Sequence, residues 1–157
     1  MSDPLRIIPA DPRSEAALAL LGALDAELAG RYPEENVAEY QIDPEEVTGQ
    51  RGLFLLALLG SEAVGCCALR RLDDGAGEVK RMYVRPAQRG RGVARALLHA
   101  IEAEARRFGL RRMLLETGVR QPEAVGLYQR FGYARIPPFG AYAETPLSLC
   151  MGKPLDP

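Results

Sequence analysis

The stretch from Glu78 to Thr117 restricts the fold of this chain more than any other. It reads "EVKRMYV", a strand-sized run ended by Pro86, then "RPAQRGRG", then an amphipathic helix from about Gly92 to Phe108 closed by Gly109, then the strand "RRMLLET". A helix joining two strands of one sheet forces those strands parallel, and such crossovers are right-handed. The strands before it obey another rule. "GLFLLALLG" and "EAVGCCALRRL" meet across Gly60-Ser61, a tight-turn pair, and "DDGAG" (Asp73–Gly77) turns the second back toward Glu78. An antiparallel meander therefore feeds a parallel crossover.

The flanks complete a mixed order. "LRIIP" (Leu5–Pro9) reads as a strand. "SEAALALLGALDAELAGRY" reads as a helix with Ser14 at its N-cap, with Leu18, Leu21, Leu24, Asp25 and Leu28 at helical spacing, and with Gly30 as a stop. "YPEENVAEYQIDPEE" (Tyr32–Glu46) is acidic and broken by prolines, which suits a short helix and loop. After the crossover, "QPEAVGLYQRFGY" is a shorter helix with Pro122 in its first turn and Gly132 at its stop. "YARI", "PPFGAYAETP" and "LSLCMGKPL" follow as strand, loop and strand. The expected order is β-α-(α)-β-β-β-α-β-α-β-β, an α/β (α+β) arrangement. With 157 residues, no internal repeat and no linker, residues 1–157 are expected to form one domain.

Formal net charge is −1. No global field therefore recruits nucleic acid or an anionic membrane, and the arginines around Gly90 need a local explanation. No apolar run approaches the ~18 residues of a membrane span, and no signal-peptide pattern opens the chain. Cys66, Cys67 and Cys150 have no metal-ligand spacing, and His99 is the only histidine, so no metal is expected. Cysteines used as small apolar residues fit a reduced, cytoplasmic protein.

The glycine-rich turn excludes one phosphate-binding design and disfavours another. A P-loop needs a Lys-Ser/Thr pair after its last glycine, and "RGRGVARALL" has none. A dinucleotide fingerprint is met at Gly90 and Gly92 but carries Arg95 at its third position, and its helix should follow the first strand of a βαβ repeat. The pattern R/Q-x-x-G-x-G/A fits Arg89, Gly92 and Ala94. Small residues there let main-chain amides approach a diphosphate, and the helix dipole adds positive potential.

With its context, "EVKRMYVRPAQRGRGVARALL" followed by "LLETGVRQPEAVGLYQRFGY", the stretch from about Glu78 to Tyr133 resembles the GCN5-related N-acetyltransferase (GNAT) superfamily. The resemblance implies a mixed, mostly antiparallel central sheet with helices on both faces and a β-α-β cofactor-binding core. It implies acetyl-CoA as co-substrate and an acetyl group moved to a primary amine by direct attack in a ternary complex. The amine would belong to a small cationic molecule, a peptide or a protein. Residues 78–133 would be the acetyl-CoA-binding core, 1–77 the acceptor side and 134–157 the closing strands.

The resemblance also implies site residues. The turn at Arg89, Gly90, Arg91, Gly92, Val93, Ala94 and Arg95 would hold the pyrophosphate. Arg91 and Arg95 would serve the adenine-side phosphate. The main chain of Met82, Tyr83 and Val84 would pair with the pantetheine arm as an added strand. Gln121 stands where many relatives carry an asparagine that contacts the cofactor. Tyr128 would donate to the departing sulfur, its phenol having an ordinary pKa near ~10. Glu78 would accept the amine proton, with Glu116 as the rival. The acidic residues Glu34, Glu35, Glu39, Asp43, Glu45 and Glu46 would attract a cationic acceptor, with Phe139 and Tyr142 as an apolar wall. A homodimer through the last strands is a further expectation. The other class open to such a chain is a non-catalytic acyl-CoA-binding regulatory module.

Overall fold

A computed structural model describes residues 3–34 and 42–156. Strands β1 (Leu5–Pro9), β2 (Gly52–Leu59), β3 (Glu62–Arg71), β4 (Ala76–Val84), β5 (Arg112–Gly118), β6 (Ala134–Arg135) and β7 (Ser148–Pro154) form one sheet in the order β1-β2-β3-β4-β5-β7-β6. Every neighbouring pair is antiparallel except β4 and β5, which the crossover helix α2 (Val93–Arg107) makes parallel. Helices α1 (Glu15–Arg31) and α3 (Pro122–Arg130) complete the elements anticipated from the sequence. Within the described part of the acidic segment, the structure has a single 3-10 turn, Pro44–Val47, with Asp43 Oδ1 capping the Glu45 amide at 3.0 Å.

The sheet separates two cores. On one face α1 buries Ala17, Leu20 and Leu24 against Phe54, Leu56, Cys66, Ala68 and Tyr83. On the other, α2 buries Val93, Leu97, Leu98, Ile101 and Ala105 against Leu55, Cys67, Leu69 and Val79, and α3 adds Tyr128 to the same cluster. Each such leucine or isoleucine contributes ~1.5–3 kcal/mol when fully buried. The α1 face differs from the sequence-based expectation: Leu18 is 58% exposed, and Leu20 points inward. Leucine and alanine surround α1 almost completely, so leucine spacing alone does not fix which stripe is buried.

Two irregularities in β4 set up the site. Pairing with β5 runs only from Ala76↔Arg112 to Val79↔Leu115, after which both strands continue without each other. A wedge opens there. Opposite β3, the register slips between Cys66↔Tyr83 and Ala68↔Lys80, so Arg81 and Met82 together face Cys67. Arg81 is the extra residue of this β-bulge, with φ of 56°, a conformation that costs a side-chain-bearing residue ~1–2 kcal/mol. Its guanidinium compensates by pairing with Asp25 and donating to the Leu21 carbonyl on α1 at 3.3 Å. The slip sends Glu78, Lys80 and Tyr83 to the α1 face, and Val79 and Val84 to the α2 face.

Glu102 is a buried charge far from the wedge. It accepts from Tyr133 Oη at 2.8 Å and from Lys153 Nζ at 2.9 Å, tying α2 to the end of the chain.

Candidate functional site

The turn before α2 is built from glycines that the backbone requires. Gly90 and Gly92 have φ of 78° and 83°, and a Cβ at either would meet nothing within 4 Å. Conformation, not crowding, selects glycine there, and the space above the turn is open. Gly92 is the N-cap of α2 and offers no side-chain acceptor. Among the described residues, the amides of Gly90, Arg91, Gly92, Val93, Ala94 and Arg95 meet no acceptor. A run of unpaired donors at a helix start concentrates positive potential.

The arginines of this turn divide. Arg89 is already committed. Its amide donates to the Pro86 carbonyl at 3.3 Å, its Nε to the Val84 carbonyl at 3.0 Å and its Nη2 to Glu27 at 2.6 Å, and its guanidinium lies 5.7 Å from the centroid of the Tyr83 ring. Arg89 fastens the turn to β4 and α1, so the open amides begin at Gly90. Arg91 is exposed and, among the described residues, hydrogen-bonds only Gln88, at 3.5 Å. Arg95 is exposed, with no ion pair among the described residues. Val93 puts its side chain into the core, leaving only its amide for the turn.

A cleft of about 820 Å³, its solvent-open mouth included, fills the wedge. Val79 to Met82 of β4 and Glu116 to Gly118 of β5 form its sides. Leu24, Leu28 and Tyr32 come from the α1 region, Gln121 from the N-cap of α3, Tyr128 from α3, Tyr142 and Leu147 from the chain before β7, and Ser148 from the start of β7. Met82, Tyr128 and Gln121, expected at the site, all reach this cleft. Tyr83 and Val84 are buried in opposite cores, so only their main chain faces the open edge of β4.

Tyr128 is 6% exposed and stacks edge-on with Tyr133 at 5.9 Å; its carbonyl accepts from the Phe131 and Tyr133 amides, while its hydroxyl makes no hydrogen bond among the described residues. Burial, followed by the nearby Cys67 and Glu116, pushes its phenol above the ordinary value, so it is a protonated donor throughout the neutral range. Gln121 works inward: its Oε1 accepts from the Gly118 amide at 3.1 Å and from Tyr32 Oη at 3.3 Å. Tyr32 Oη accepts in turn from the Arg120 amide at 3.0 Å. A Cβ on Gly118 would stand 1.7 Å from Tyr32 Oη, so only glycine lets this brace form. Tyr32 was not singled out in the sequence. The pair it makes with Gln121 spans 89 positions, beyond any local pattern.

The two candidate carboxylates occupy different settings. Glu78 is fully buried and does not line the cleft. Its Oε1 accepts from Arg70 at 2.9 Å and its Oε2 from Tyr142 Oη at 2.8 Å. Arg70 also holds Glu46 at 2.7 Å. Glu116 lines the cleft; its charge raises the Tyr128 phenol after burial and Cys67, and the Tyr142 phenol after burial and the closer Glu78. Part of the acidic segment is paired within the protein, Glu34 with Arg120 and Glu46 with Arg70, and Asp43 caps a turn. Glu35 and Glu39 lie outside the described residues. Phe139 and Tyr142 pack edge-on at 5.3 Å as an apolar wall, but the Tyr142 hydroxyl also bonds Glu78.

Similarity to known proteins agrees with this geometry. The model of the acetyltransferase (GNAT) family matches residues 19–133. An "IAA acetyltransferase" of Azospirillum brasilense is 42% identical over 145 residues, covering 92% of this chain and 94% of that protein. The crystal structure of a candidate acyl-CoA N-acyltransferase from Klebsiella pneumoniae subsp. pneumoniae superposes with a TM-score of 0.82 at 35% identity, covering 97% of this chain and 98% of the other. The fold, at 18% identity, is also that of a GNAT family acetyltransferase from Elizabethkingia anophelis with acetyl-CoA bound, with a TM-score of 0.71 and coverage of 98% and 99%.

Proposed function

Because the chain belongs to the acetyltransferase (GNAT) family, we propose that it is an N-acetyltransferase that moves the acetyl group of acetyl-CoA to an amine. The carrying observation is the run of open amides from Gly90 to Arg95 at the start of α2, beside a wedge that ends at Tyr128. A diphosphate satisfies those donors, and the exposed guanidiniums of Arg91 and Arg95 add charge at the outer rim. The β4 main chain from Met82 to Val84, unpaired on its β5 side, supplies the edge for an extended amide-bearing arm.

Acetyl-CoA supplies an acetyl group activated as a thioester; the chain's residues do the rest. Glu116 would accept one proton from the acceptor's ammonium, freeing the nitrogen lone pair that forms the new C–N bond, and later return it to solvent; the second proton lost by that nitrogen would pass to the departing sulfur, which leaves as the CoA thiol. The Tyr128 hydroxyl donates a hydrogen bond to the sulfur as its bond to the acetyl carbon breaks. Glu78, sealed between Arg70 and Tyr142, is a positioning residue that holds the β7-side wall. No helix among the described residues is long and apolar enough to cross a membrane. The buried, unpaired Cys66, Cys67 and Cys150 suit a reducing compartment such as the cytoplasm.

Calorimetry with CoA, then thiol release with a panel of amines, tests this reading. Tyr128→Phe should bind CoA normally and lower kcat by ~10²-fold or more. No CoA binding by the unaltered protein would overturn the proposal. Wild-type turnover by Tyr128→Phe would remove that hydroxyl from the reaction.

A further inference from the structure

Lys80 and Glu116 hold the first register positions beyond the last paired residues of β4 and β5, Val79 and Leu115. Both line the cleft. Lys80 is mostly buried, its side chain 15% exposed, and its contacts are long: 3.4 Å to Tyr142 Oη and 3.8 Å to Glu78 Oε2. Closer donors, Arg70 and Tyr142, already occupy both oxygens of Glu78. An ammonium has three donors, and these long contacts leave Lys80 with capacity for an anion inside the cleft. A cation and a carboxylate thus face one space from adjacent strands.

We propose, on the acetyltransferase reading above, that the acceptor is an amino-carboxylate, an amino acid whose carboxylate sits on Lys80 and whose amine sits on Glu116. Beyond Val79 and Leu115 the strands are no longer paired, so Lys80 and Glu116 stand farther apart than the about 4.8 Å of a paired ladder. An ammonium and a carboxylate on one carbon bridge such a span, each reaching its partner by one charge-assisted hydrogen bond of about 2.8 Å. The same geometry explains the chemistry: Lys80 fixes the molecule by a group that does not react, so the nitrogen is presented to the carboxylate that deprotonates it. Leu24, Leu28 and Tyr32 line the cleft from the α1 side, which suits an apolar or aromatic side chain. A polycationic acceptor would bring a second positive charge against Lys80, and the Glu34 and Glu46 carboxylates that could have offset it are paired elsewhere.

The experiment compares L-phenylalanine, L-phenylalaninamide and phenethylamine by CoA release. The amide has the more easily deprotonated amine, so a preference for the free acid cannot come from basicity. The free acid should exceed both comparators in kcat/KM by about tenfold or more, the size of one charge-assisted contact. Lys80→Met should raise KM for the acid by a similar factor and bring the acid-to-amide ratio near one, while Lys80→Arg retains the preference. CoA affinity measured by calorimetry on each variant shows that the fold and donor site survive. Efficient turnover of the amines with no preference for the acid overturns this inference and leaves the acetyltransferase reading standing. Absence of CoA binding overturns both.

Discussion

Helices α1 and α2 begin in opposite ways. At α1, Ser14 Oγ accepts from the Ala17 amide at 3.3 Å, and Glu15 places an acidic group in the first turn. At α2, the N-cap is Gly92 in a left-handed conformation, no side chain caps the amides, no acidic residue occupies the first turn, and Arg95 adds a cation to an end that is already positive. One helix start is finished by its own sequence. The other is left incomplete, at a stability cost that the diphosphate of the proposed acetyl-CoA would offset. On the acetyltransferase reading, the difference separates a helix that only has to stand from one that also has to hold a ligand.

The sharpest way to break this comparison is to finish the second helix as the first is finished. Gly92→Asp places a carboxylate at the left-handed N-cap and should weaken CoA binding by about 100-fold or more, and by about tenfold more than Gly92→Asn, which carries the same backbone strain without the charge. Calorimetry that found the affinity nearly unchanged would make the α2 start an ordinary turn. Next in size is the reverse operation at α1. Ser14→Ala should cost about 1 kcal/mol in urea unfolding and leave CoA affinity alone. A loss of CoA binding there would mean that the two helix starts are coupled through the Arg89–Glu27 pair. The smallest effect is expected at the rim: Arg95→Gln should weaken CoA about threefold and flatten the salt dependence of binding, as an exposed charge would.

The strand–turn–helix–strand unit was legible because its signals are local. Glycines at Gly90, Gly92 and Gly109, the prolines and the apolar periodicity lie within a few residues of the structure they specify. The hairpin at Gly60-Ser61 and the Ser14 cap were legible for the same reason. The buried stripe of α1 was not, since leucine and alanine on nearly every side carry no phase. The settings of Glu78 and Glu116 were also hidden. Both lie within strands, and it is the cross-strand neighbour Arg70 together with Tyr142, 64 positions away, that seals Glu78. The acidic segment looked like a field because its counter-charges, Arg70 and Arg120, are remote in sequence. Glu102 read as one more helix charge until Tyr133 and Lys153 closed around it.

The bulge at Arg81 means that β4 changes parity midway. Residues before it are odd to one core and even to the other, and residues after it follow the opposite assignment. Losing a single position there would exchange Tyr83 and Val84 between the two hydrophobic layers and turn the strand's free peptide groups away from the wedge. The length of this strand, counted residue by residue, is therefore as much a part of the site as any side chain in it.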